Sequence, residues 1–279
     1  MRHLETSDGV ALAYEVFGRG RPVLVCHGGP STTHDYLVAD LADLCDRAQL
    51  VFHDYRGSGQ SASAATASYT FERLADDVDE LRAHLGFERV TLLAHSMGGF
   101  VALTYALRHP SNCRALVLMS CSPAGTARRT AIPTMRALGP VRFFRMLGRV
   151  LRYLVAWSWR RDSDPKTLAR FAIMAVLQEG RREWRGEVAA REILAQNDNA
   201  PTLERLGFQT DLCDRLDRVV CPVLVIHGTS DAPFTAGAEL LAKGLRNVRR
   251  VSLRGVGHHP LVEEHDRTIS EIDRALEGA

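Results

Sequence analysis

The chain has 279 residues, 46% of them hydrophobic, and a formal net charge of +2. That length suits one large α/β domain with an insertion, and the near-balanced charge gives no reason to expect a nucleic-acid partner. No apolar run reaches the roughly eighteen residues of a membrane span, and the opening MRHLETSDGV has no apolar leader segment, so a cytoplasmic enzyme or binding protein without stable membrane insertion is expected.

The elements follow in chain order. HLETSDGVALAYEVFG (3–18) sets Asp8-Gly9 between two short alternating runs, which predicts a hairpin. PVLVC (22–26) is a short apolar run of the kind buried on both faces of a sheet. DYLVADLADLC (35–45) spaces its leucines as a helix does, and QLVFHD (49–54) reads as a strand. TFERLADDVDELRAHLG (70–86) starts on a threonine cap, keeps helical periodicity and ends on glycine. Then come a strand at RVTLLA (89–94), a helix at GFVALTYALRH (99–109) and a strand at RALVLMS (114–120). Strands alternating with helices predict a mostly parallel central sheet with helices on both faces.

The alternation stops there. Residues 122–212 carry helical periodicity without a good strand, and the alternation resumes with CPVLVIHG (221–228), FTAGAELLAKGL (234–245), VRRVSL (248–253) and a last helix near 262–277. The organisation expected is a core in two parts, 1–121 and 213–279, interrupted by a helical cap at 122–212. The six cysteines, Cys26, Cys45, Cys113, Cys121, Cys213 and Cys221, form no C-x-x-C pair and are read as small buried fillers in a reducing compartment.

One serine stands between a strand and a helix. In TLLAHSMGGFVALTYALRHP (91–110), Ser96 has Ala94 two residues before it and Gly98 two residues after. A nucleophilic serine must be exposed on a sharp strand-to-helix turn with a backbone N–H beside it, and such a turn tolerates only small flanking residues. The following helix aims its positive end at developing negative charge. A plain helix-capping serine is the competing reading.

On these residues the chain resembles the α/β-hydrolase fold family, over nearly its whole length. The resemblance implies a catalytic order of nucleophile, acid and histidine. HGTSDAPF (227–234) offers Asp231 as the acid, with a simple helix cap as the alternative. No Asp or Glu occurs from Arg89 to Arg161, so the position some relatives use, after the strand following the nucleophile helix, is closed. GVGHHPLVEE (255–264) matches the loop that carries the base and selects His258, with His259 as the alternative. VCHGGPSTTHDY (25–36) places Gly29 where the family's second oxyanion N–H lies, partnering that of Met97; His27 is read as a structural hydrogen-bonder.

HGGP together with D-x-R-G-x-G-x-S in HDYRGSGQS (53–61) is similar to the proline iminopeptidase branch, with Asp54 and Arg56 stabilising the turn. AHSMGG resembles instead the esterase-like form of the family. AWSWRRD (156–162) puts Arg160 and Arg161 where an aminopeptidase would want acids, although Glu179, Glu183, Glu187 and Glu192 could serve an amine site. In GPVRFFRMLGRVLRYLVAWSWRR (139–161), Arg142, Arg145, Arg149 and Arg152 share one helical stripe. Phe144 and Leu147 lie on the apolar remainder, and with Trp157 they are the candidate pocket. The expectation is a serine hydrolase of esters or small amides, needing no cofactor and no metal and taking a small-molecule or short-peptide substrate. The alternatives are an iminopeptidase-like aminopeptidase, a non-hydrolytic biosynthetic enzyme, and a ligand receptor on the same fold.

Overall fold

The computed structural model describes residues 1–29, 32–125, 148 and 198–278. Eight strands form one sheet: β1 (Arg2–Glu5), β2 (Ala11–Gly18), β3 (Arg21–Cys26), β4 (Ala48–His53), β5 (Val90–His95), β6 (Cys113–Met119), β7 (Val223–Gly228) and β8 (Val248–Leu253). Their spatial order is β1-β2-β4-β3-β5-β6-β7-β8. β1 and β2 make the hairpin that Asp8-Gly9 announces, β2 runs antiparallel to β4, and every later pairing is parallel.

The central strands are largely apolar because each face meets its own helical layer. Leu24, Leu92, Leu116 and Val225 lie in one buried cluster, while Val23, Val25, Leu93, Val117 and Ile226 lie in the other. On the first face pack α2 (Phe71–His84), α3 (Gly98–Arg108) and α5 (Ala232–Gly244); on the second pack α1 (Asp35–Val38), α6 (Pro260–Glu263) and α7 (His265–Glu277). Leu24 and Leu92 are fully buried, so trimming either to alanine costs about 2–5 kcal/mol.

Two helices differ from expectation. The segment 35–45 is not continuous: α1 ends at Val38 and a 3-10 turn covers Ala42–Leu44. Leu37, Leu41 and Leu44 all reach the core as the spacing predicts, but the last turns bond three residues back, Leu44 N to Leu41 O and Cys45 N to Ala42 O. The last helix is two, parted at Glu264, whose backbone leaves the helical region with φ −148°. All six cysteines are free thiols; Cys45 and Cys213 are half-buried rather than buried.

β6 and β7 pair directly although more than a hundred residues separate them in sequence. At this junction Ala124 bridges Asp211 in antiparallel fashion, with Gly125 N bonded to Thr210 O and Leu212 N to Pro123 O. α4 (Ala200–Gln209) follows Asn199, which donates from Nδ2 to Arg56 O and Ser58 Oγ. The arginine stripe, the pocket residues Phe144, Leu147 and Trp157, and the acids Glu179, Glu183, Glu187 and Glu192 lie outside the described residues.

Candidate active site

Ser96 follows β5 directly and has φ +55°, a conformation that side chains rarely adopt. The turn is held by Ser96 N on Met119 O at 3.0 Å and Gly99 N on Ser96 O at 3.1 Å. Its small neighbours have a steric cause. A Cβ on Gly98 would sit 2.2 Å from Cys26 O, and one on Gly99 would sit 2.6 Å from Cys121 Cβ. Met97 precedes the first turn of α3, where backbone N–H groups lack helical acceptors.

The three residues read from the sequence as a set come together. His258 Nε2 is 3.0 Å from Ser96 Oγ, and His258 Nδ1 is 2.8 Å from Asp231 Oδ2. His258 and Asp231 are buried. Asp231 does occupy the N-cap position of α5, yet its side chain makes no capping hydrogen bond. The carboxylate is spent on the imidazole instead. Phe234 packs against that ring with centroids 4.4 Å apart.

The histidine loop is pressed against the end of β7. A Cβ on Gly228 would meet Val256 O at 2.1 Å and Gly257 O at 2.4 Å. The Glu263 carboxylate accepts the Gly257 N–H at 3.0 Å. His259 stacks beside His95, centroids 5.1 Å apart, and edge-on to Tyr36. Burial and the nearby His95 push its pKa well below the ordinary value.

Gly29 has φ +87° at the end of the loop after β3, before Pro30 and Ser31, which lie outside the described residues. A Cβ on the adjacent Gly28 would lie 3.1 Å from Ser96 Cβ, so this backbone runs alongside the serine. His27 is structural in its contacts: Nδ1 bonds Gly28 O at 2.8 Å, Tyr55 Oη donates to His27 O at 3.1 Å, and burial pushes its pKa down to about 4.

The 53–61 turn is an ionic clamp. Arg56, fully buried, forks onto both Asp77 oxygens (2.6 and 2.7 Å) and onto Asp8 (2.8 and 3.0 Å), joining the β1–β2 turn to α2. Asp54 accepts from His34 N, His34 Nδ1 and Gln60 N. Burial opposes its charge, but the His34 bond and the neighbouring imidazoles outweigh that and hold its pKa at about 2. Sequence reasoning missed His34, Tyr36 and His95; only His95, inside the serine motif, carried any signal.

No group of three or more metal-ligating side chains occurs among the described residues, and no helix among them is long and apolar enough to cross a membrane. The family model for the alpha/beta hydrolase fold matches residues 21–265. A proline iminopeptidase of Saccharolobus solfataricus is 26% identical over 95% of this chain and 87% of its own length. The crystal structure of the Mycobacterium smegmatis proline iminopeptidase superposes with a TM-score of 0.79 at 22% identity, covering 99% of this chain and 97% of the other. A thermophilic esterase from Thermogutta terrifontis superposes with a TM-score of 0.71 at 24% identity, covering 100% of this chain and 99% of the other. The chain belongs to the alpha/beta hydrolase fold family and is an enzyme of that family.

Proposed function

We propose that the enzyme is a serine hydrolase that cleaves an ester or small amide through an acyl-enzyme, with Ser96 as nucleophile, His258 as base and Asp231 as the acid that orients it. The observation that carries this reading is the continuous chain from Ser96 Oγ through both nitrogens of His258 to Asp231 Oδ2. In it, Ser96 Oγ attacks the carbonyl carbon as its proton passes to His258 Nε2. Asp231 accepts the Nδ1–H and stabilises the imidazolium. The oxyanion takes the N–H groups of Gly29 and Met97. Collapse of the intermediate expels the alcohol or amine with the proton from Nε2, and water then reverses the sequence on the acyl-enzyme. No step needs a metal or cofactor.

The base works only when neutral, so kcat/KM falls on the acid side. Burial and the neighbouring His258 push His95 down to about 3, and burial with His95 pushes His259 well below its ordinary value. The sequence-based expectation of a cap at 122–212 and of an acyl pocket with Phe144, Leu147 and Trp157 remains part of this proposal; those three residues lie outside the described ones. The thiol inventory supports a reducing, cytoplasmic setting.

A second reading, release of an N-terminal residue by an aminopeptidase of the proline iminopeptidase type, is favoured by the near full-length match to such enzymes. p-Nitrophenyl esters set beside proline and alanine p-nitroanilides separate the two. Turnover of esters alone supports the first reading, and preferred turnover of prolyl anilide establishes the second. A fluorophosphonate probe should label the wild type and not Ser96→Ala; equal labelling removes Ser96 from the mechanism.

A further inference from the structure

Three groups around Ser96 are joined by a hydrogen-bond path that the triad does not use. Gly28 N lies 2.8 Å from Tyr36 Oη, Tyr36 Oη lies 2.7 Å from His95 Nδ1, and His95 Nε2 lies 3.0 Å from His258 O. The proton positions follow from chemistry alone. A backbone amide only donates, so Tyr36 Oη accepts from Gly28. A backbone carbonyl only accepts, so His95 carries its proton on Nε2. Nδ1 is then an acceptor, and the Tyr36 hydroxyl proton must point at it. Every link has one direction and one tautomer. His95 is buried and held neutral, which keeps that tautomer fixed.

The path ends on the two elements whose spacing the chemistry depends on. Gly28 is the residue before Gly29, the proposed oxyanion donor. His258 O belongs to the proposed base itself, so a shift of that carbonyl moves the imidazole. The packing is tight where they meet: a Cβ on Gly28 would lie 2.9 Å from Tyr36 Oη, 3.0 Å from His95 Nδ1 and 3.1 Å from Ser96 Cβ.

We propose that Tyr36 and His95 are positioning residues, forming a one-way strut that sets the separation between the oxyanion loop and the His258 loop on either side of Ser96. The strut touches neither substrate nor the transferred proton. It rests on the triad reading above and adds to it two residues and a distance constraint. A misplacement of a catalytic group by about 1 Å is enough to cost roughly a hundredfold in rate, while ground-state binding is little affected.

The test uses the full-length chain, p-nitrophenyl butyrate and a fluorophosphonate probe. Tyr36→Phe deletes one oxygen and keeps the ring. It should lower kcat and the labelling rate by about tenfold or more, leave KM within about threefold, and leave the acid limb of kcat/KM in place. His95→Gln, whose amide N–H can still donate to His258 O, should retain more kcat than His95→Ala. If Tyr36→Phe keeps kcat within about twofold while Ser96→Ala abolishes labelling, the strut is wrong and the triad stands. If KM rises and kcat holds, Tyr36 is a binding residue and the strut is again wrong. If Ser96→Ala is still labelled, the triad reading fails first, and the strut falls with it. Should both His95 variants misfold, Tyr36→Phe alone decides.

Discussion

Two serines end neighbouring strands in nearly the same backbone conformation. Ser96 follows β5 with φ +55°, and Ser120 follows β6 with φ +48°. Each amide reaches one strand further along the sheet, Ser96 to Met119 O at 3.0 Å and Ser120 to Ile226 O at 2.9 Å. Beyond the backbone they differ. A helix begins two residues after Ser96, and an imidazole lies 3.0 Å from its oxygen. Ser120 is fully buried, and its Oγ has no partner among the described residues. The strained conformation is therefore a property of how parallel strands end here, whereas reactivity requires a base and an approach for substrate.

The largest effect expected is the most direct test of that contrast. Ser96→Ala should lower ester turnover by at least about a thousandfold, while Ser120→Ala, which removes only an unpartnered hydroxyl, should not. Comparable losses in steady-state kinetics would mean that the shared conformation, not the imidazole, makes the site. Next in size is the choice of histidine. His258→Ala should cost about three decades in kcat, and His259→Ala far less, because His259 stacks on His95 rather than facing Ser96. The reverse ranking would reassign the base.

A third experiment loosens the same rim without touching either serine. The His34–Asp54 bond holds the turn after β4. Asp54 has its pKa lowered from 3.8 to about 2, so its contribution is complete above about 4 and is lost as pH falls towards 2. Burial opposes the charge of His34, but Asp54 outweighs it and raises the pKa above 6.5. That contribution is complete below 6.5 and is lost as pH rises through the raised value. The pair should stabilise most between about pH 4 and 6.5, by about 2 kcal/mol from the Asp54 side. Unfolding midpoints of Asp54→Asn against wild type should diverge most near pH 5, keep part of that difference at about pH 3 and converge only as pH falls below about 2. A constant difference at all pH values would make the bond purely steric. The smallest expected effect is on stability at Ser120. Ser120→Gly relieves the left-handed strain and should change the unfolding free energy by no more than about 1 kcal/mol, in the stabilising direction. A loss of several kcal/mol in denaturant titration would mean that its hydroxyl is bonded after all.

The fold was legible because its central strands are short, largely apolar runs bounded by turn residues, with both layers of core alternating along them. Ser96 was legible because a tight turn excludes large neighbours, and Gly98 records that exclusion in one letter. Asp231 and His258 could be narrowed only through resemblance, since a loop aspartate and a loop histidine look ordinary until a third residue fixes their roles. Gly228 carries a steric constraint as severe as that of Gly98, against the histidine loop, but its partner lies 28 residues away in sequence and left no local pattern. Tyr36 and Ser120 were invisible for a similar reason: one reads as a helix aromatic, the other as the end of a strand. The break of 35–45 into two pieces was hidden because an i−3 ladder buries the same three leucines as an i−4 ladder.

The antiparallel clip at Ala124–Asp211 has an evolutionary reading. The chain leaves the core at the clip's first arm and is bonded to it again from Asp198 and Asn199 onward, α4 leading back to the second arm, while β6 and β7 stay paired beneath. A gene encoding such a protein has a natural splice region: what lies between the clip's first arm and Asp198 can lengthen, shrink or be exchanged while strand register and the Asn199 anchor are untouched. Doubling a closed loop costs only about 0.6 kcal/mol in chain entropy. Selection for new substrates can thus act on the excursion while selection for chemistry holds the core, and recombination at this junction would let one ancestral reaction centre be refitted many times.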